Sequence, residues 1–74
     1  MMKFVVTAES DLMDAHFETN DVDEACEMYE KFCESREVVF HDVNFYDGET
    51  GELYAYQTIE RDPEGITITQ WLAN

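Results

Sequence analysis

Two cysteines, Cys26 and Cys33, two histidines, His16 and His41, and eighteen carboxylates are the side chains of this 74-residue chain that could do chemistry. Nucleophilic catalysis needs a thiol or hydroxyl within hydrogen-bond reach of a base. Cys26 and Cys33 fall instead on the apolar stripe of a helical pattern, where a buried thiol stays protonated and packs as a small hydrophobe. His41 is followed by Asp42, which reads as a structural histidine satisfied by its neighbour. Paired carboxylates recur along the whole chain, so no single pair marks an acid–base couple, and no catalytic residue is expected. Metal sites fare little better. Two Cys and two His equal a zinc ligand count, yet the cysteines are one heptad apart, about 10 Å along a helix axis. That is too far for a disulfide and unlike the close C-x₂₋₄-C pairs of structural zinc sites. Asp42, Asn44, Asp47 and Gly48 look like the start of a calcium loop but are out of register, and Leu53 stands where the closing bidentate Glu belongs. No phosphate-cradling glycine pattern is present, so no cofactor and no metal are expected.

The element that organises these residues is the stretch 20–36. Val22, Ala25, Cys26, Tyr29, Phe32 and Cys33 recur with a 3.6-residue period and predict one face of an amphipathic helix. Asp21 is a suitable N-cap, and Glu24 three residues on completes a D-x-x-E capping-box pattern. Asp23, Glu24, Glu27, Glu30 and Glu34 occupy the opposite side, relieved by Lys31. The helix ends where Val38, Val39 and Phe40, β-branched and aromatic, favour an extended chain.

Around this helix the alternation is that of strands. Residues 3–8 place Phe4, Val6 and Ala8 on one face, and residues 12–18 place Met13, Ala15 and Phe17 on one face. An antiparallel hairpin is the preferred reading, with a short amphipathic helix over 12–18 as its rival. Residues 37–46 predict a strand ending at a loop in which Gly48 and Gly51 supply positive φ angles. A strand over 52–60 follows, with Leu53, Ala55 and Ile59 inward and Tyr54, Tyr56 and Thr58 outward. Asp62, Pro63 and Gly65 fit a type I turn, and 66–71 form the last strand, Ile66 and Ile68 inward and Thr67, Thr69 and Trp71 outward. The sum is β-β-α-β-β-β, an α+β two-layer domain with one helix packed on an antiparallel sheet. It is a single domain, residues 1–74, and burial of roughly 60% of its unfolded surface makes for a small core. One helix covers one sheet face. The other face, with Tyr54, Tyr56, Trp71 and Phe40, is a candidate for self-association.

Charge is the strongest global fact: eighteen Asp and Glu against four Lys and Arg give a net charge of −14. Such a chain repels nucleic acid and anionic membranes and attracts basic surfaces. With 45% hydrophobic and 14% aromatic residues in clear periodicity it is a folded domain rather than a disordered one. No secretory leader and no apolar run near the ~20 residues of a membrane span are evident, which points to a soluble, cytoplasmic protein. On the helix, Asp23, Glu27, Glu30 and Glu34 form a ridge with one charge per about 5.5 Å, sparser than the ~1.7 Å of duplex DNA. Carboxylates elsewhere must contribute if the protein imitates a duplex, and Asp47, Glu49 and Glu52 are the loop candidates. In size and acidity the chain resembles the small phage-encoded inhibitors of bacterial defence, anti-CRISPR and anti-restriction proteins, many of which mimic DNA. The resemblance is one of composition. It implies a non-enzymatic inhibitor or regulator that binds the basic nucleic-acid groove of a partner protein, with Asp23, Glu24, Glu27, Glu30, Glu34, Asp47, Glu49 and Glu52 as the binding residues. The alternatives are a self-associating module built on Tyr54, Tyr56 and Trp71, and an ordinary domain from a salt-adapted organism.

Overall fold

The computed structural model describes residues 2–62 and 65–72. Within them the chain runs β1 (Phe4–Glu9), β2 (Asp14–Thr19), α1 (Val22–Glu34), β3 (Asp42–Asp47), β4 (Leu53–Asp62) and β5 (Gly65–Leu72). The strands form one antiparallel sheet in the order β2-β1-β3-β4-β5, and α1 packs across β1, β2 and β3. This is the α+β two-layer architecture expected from the sequence, with a hairpin rather than a helix before α1. The hairpin turn is built on Ser10, whose hydroxyl donates to Met13 O at 2.8 Å and accepts from Met13 N at 2.9 Å.

Alternation on β1 turns Phe4, Val6 and Ala8 toward the helix. They join Ala25, Tyr29, Phe40, Val43, Phe45 and Ala55 in one buried cluster. Asp21 caps α1, its Oδ1 accepting from Asp23 N at 2.9 Å and Glu24 N at 3.4 Å. The reciprocal half of the capping box is replaced, because the Asp21 N–H donates to Thr19 Oγ1 at 3.1 Å. The buried stripe is narrower than its sequence pattern. Ala25 and Tyr29 are buried and Phe32 and Cys33 partly so, whereas Val22 and Cys26 are exposed at the margins of the packed face.

Three sequence expectations are corrected. Residues 37–41 are not strand: the chain there climbs from the helix layer to the sheet, with Phe40 buried edge-on against Phe32 at a centroid distance of 5.4 Å. Packing of Phe40 and Val38 on the core overrides their β preference. Gly48 has no positive φ; Gly51 does, at 78°. Gly48 is instead a close approach, since a Cβ there would lie 2.8 Å from Val5 Cγ2 and from Lys3 Cδ. The turn after β3 thus folds over Val5, which is 2% exposed although it lies on the face without a helix. The third correction concerns β4. Phe45 stands opposite Ala55 and Tyr46 opposite Leu53, so the register shifts and Tyr54 is an extra residue. Such a bulge reverses the alternation on one side of it. Tyr54 therefore packs on the helix side, its ring 6.1 Å from Phe4 and 5.3 Å from Phe45, and Leu53 goes to the other face beside Tyr46. Of the type I turn expected at 62–65, Pro63 and Glu64 lie outside the described residues; Asp62 and Gly65 pair across it.

The Tyr29 hydroxyl is buried against the weakly polar Cys33 thiol and, among the described residues, finds no stronger hydrogen-bond partner, so its desolvation is poorly compensated. Tyr29→Phe is expected to stabilise the fold by about 1 kcal/mol, since it removes an unsatisfied buried group. Phe45→Ala should lower stability by about 3–5 kcal/mol. Urea denaturation of the two variants beside the parent measures both.

Candidate acidic interaction surface

The helix that buries Ala25 and Tyr29 must present the rest of its circumference outward. Asp23, Glu24, Glu27, Glu30 and Glu34 are all exposed, and among the described residues none of them forms an ion pair. The close polar contacts of carboxylates with basic side chains lie elsewhere: Lys3 Nζ pairs with Glu18 at 3.7 Å, His16 Nε2 is 3.1 Å from Glu18, and His41 is 3.0 Å from Asp42 Oδ2 through Nδ1 and 3.8 Å from Asp11 Oδ1 through Nε2. Glu18 is held below the usual carboxylate range by the His16 hydrogen bond first and the Lys3 charge second.

The helix ridge borders an open groove. Because α1 lies over β1, β2 and β3, a space of about 550 Å³ remains between it and the β4–β5 hairpin, floored by Phe45, Tyr54, Ala55 and Gln57. Glu30 and Glu34 stand on its helix side with Cys26 and Cys33, and Gln70 and Leu72 on its strand side. Gln70 Nε2 donates to Gln57 Oε1, which gives the amide oxygen of the buried Gln57 a partner. Both cysteines are free. Cys26 is not buried as its place on the stripe implied, yet partial burial, then Asp23 and Glu30, pushes its thiol up; burial does the same to Cys33. Protonated thiols in an acidic setting are poor nucleophiles. Among the described residues no cluster of three His, Cys, Asp or Glu has metal-binding geometry, and no helix is long and apolar enough to cross a membrane.

The loop carboxylates do not stand together. Glu49 and Glu52 are exposed, but Asp47 is 8% exposed and turned inward. Its Oδ1 accepts from Glu49 N at 2.7 Å and Thr50 N at 3.1 Å, and its Oδ2 from the Tyr54 hydroxyl at 3.1 Å. A D-G-x-x-G loop is a place where such an Asx-type bond is legible, because a short carboxylate can bond the backbone two residues on. Asp47 is thus a clamp for its own loop and for the bulge, and is withdrawn from the set of surface residues. Tyr54 is likewise withdrawn from the aromatic face. Tyr56 and Trp71 remain there, their rings stacked with centroids 6.2 Å apart and planes at 21°. Register places Glu9, Asp14, Glu18, Asp42 and Glu60 on that same face, so the sheet side is acidic too, a distribution that the sequence alone did not resolve.

Hydrogen bonds from Glu49 N and Thr50 N, then from Tyr54, hold the Asp47 carboxyl below its ordinary value. A depressed folded-state pKa contributes stability that is present above the unfolded value, about 3.9 for Asp, and is lost as pH falls through the folded one. Asp47→Asn should therefore be less stable than the parent at neutral pH, with a gap that stays flat down to about pH 5 and narrows below about pH 4; urea melts at pH 7 and pH 3.5 read that gap.

No family model matches the chain, and no curated protein and no solved structure gives a significant match.

Proposed function

We propose that this protein is a non-enzymatic, acidic inhibitor or regulator that docks on the basic nucleic-acid-binding groove of a partner protein, in the manner of a DNA mimic. The observation that carries the reading is the acidic helix face: the ridge of Asp23, Glu27, Glu30 and Glu34 with Glu24 beside it, all exposed on one element and free of ion pairs among the described residues. A cation on the partner meets them without first displacing a competitor.

The overall shape supports it as well. The molecule measures 45 × 24 × 17 Å, with acidic side chains on both the helix side and the sheet side. A charge of −14 spread along 45 Å is one net charge per about 3 Å of length, roughly half the axial density of duplex DNA. The helix alone is sparser; the elongated domain comes closer to the polyanion. The groove beside Glu30 and Glu34 gives the ridge an apolar floor, on which the stem of an Arg or Lys can lie while its charged head reaches those carboxylates. The protein is expected to act in the cytoplasm of a cell, that of the host if it is carried by a phage or mobile element.

Docking of this kind is fast and weakens with salt. Capture of nucleic-acid-binding proteins from a bacterial lysate at low salt, with release as NaCl is raised, is the expected result. Glu27→Lys combined with Glu30→Lys should abolish that capture while changing stability by less than about 0.5 kcal/mol per exposed site. A double variant that captures as well as the parent would show the ridge to be a solvated helix face and nothing more.

A further inference from the structure

The two edges of the sheet are unlike. β2 carries Asp14, His16 and Glu18, the charged side chains with which natural edges block pairing by another chain. β5 carries none. Residues 65–74, GITITQWLAN, are the longest stretch of the chain without a charged residue or histidine, in a protein that is 30% Asp, Glu, Lys and Arg. Their composition of Ile, Thr and Trp is that of a strand, with no Pro or Lys to interrupt it. Described side chains of this strand are exposed on both faces: Ile68 is 59%, Leu72 66% and Trp71 44% exposed, whereas the sequence pattern alone had turned Ile68 inward. One long side of β5 is paired to β4 and the other faces outward as the rim of the sheet.

We propose that β5 is a self-association edge, pairing antiparallel with β5 of a second copy to join two five-stranded sheets into one of ten strands. Charge selects the occupant. Two chains of −14 repel each other wherever carboxylates meet, and β5 is the edge at which an identical surface meets no like charge. A basic partner finds no carboxylate on this strand to attract it, and has the helix ridge instead. Geometry then fixes the arrangement. Antiparallel strands of one continuous sheet are related by a two-fold axis perpendicular to it, and residues directly opposite share a face. One residue near the middle of β5, Ile68 or Thr69, must therefore face its own copy across the axis. Both helices fall on the same side of the ten-stranded sheet. The two grooves beside them merge into one trough with a copy of Glu30 and Glu34 on each wall.

Salt moves this association opposite to the docking described above, because screening relieves repulsion between the copies. The two readings thus stand or fall apart. Sedimentation velocity of the full chain at low and high NaCl is expected to give a dimer that strengthens with salt. Ile68→Lys, and Thr69→Lys on the other face of the same strand, should each be monomeric with unchanged far-ultraviolet circular dichroism. His16→Lys adds the same charge at the other edge and should remain a dimer, which separates the edge from the charge. A parent that is monomeric at every salt concentration overturns the proposal, as does a dimer that survives in the folded β5 variants. Open-ended growth, the product of β5 pairing with β2 of the next copy, overturns it as well.

Discussion

A helix about 10 Å across cannot roof five strands spaced about 4.8 Å apart, and most of what distinguishes this domain follows from that mismatch. α1 lies over β1, β2 and β3, and the aromatic cluster of Phe4, Tyr29 and Phe45 sits beneath it. Beyond that roof, β4 and β5 are stabilised by their own ladder, by the Gln57–Gln70 amide pair and by the stacking of Tyr56 on Trp71. The hairpin has half a core. Its uncovered helix side becomes a groove and its outer strand an edge, so the places open to a partner are those the helix does not reach.

Asp47 links the two halves of this arrangement. One carboxylate organises the turn between β3 and β4 through Glu49 N and Thr50 N, and its second oxygen receives the hydroxyl of Tyr54, the extra residue of the bulge. The bulge lets an aromatic ring enter the core at the point where the helix cover ends. Asp47, the one acid buried among the described residues, is thus a structural part of the sheet, and the surface charge is carried by its neighbours.

The helix, the five strands and the hairpin before the helix were legible because each depends on local pattern: Asp21 with Ala25, Tyr29 and Phe32 on the stripe, the alternation of Phe4, Val6 and Ala8, and Gly51 in the loop after Asp47. What escaped was non-local. A bulge is a mismatch between two strands, so nothing within the residues of β4 announces that Tyr54 and Leu53 exchange faces. The same holds for Phe40, whose strand propensity yields to the pocket beside Phe32, and for Gly48, whose reason lies in Lys3 and Val5 at the far end of the chain. The acidic ridge was readable to the residue, since helical period alone sets it outside. The absence of charge along residues 65–74 was equally plain in the sequence, but its meaning needed the strand order, which makes β5 a rim rather than an interior strand.

The junction of β1 with β3 carries a further consequence, for the time course of folding. β1 with β2 is one local hairpin and β3 with β4 and β5 a local meander, each able to form from residues near one another in the chain. Val6 meets Phe45 only across the whole helix and its flanking loops. Closing that long loop costs entropy that is repaid when Phe4, Val6 and Ala8 come against Phe45 and Val43. Until then the core is divided, with α1 able to lie only on β1 and β2 and the cover of Val43 and Phe45 missing. The domain is two local pieces joined by the β1–β3 ladder and by the helix and aromatic rings packed across it.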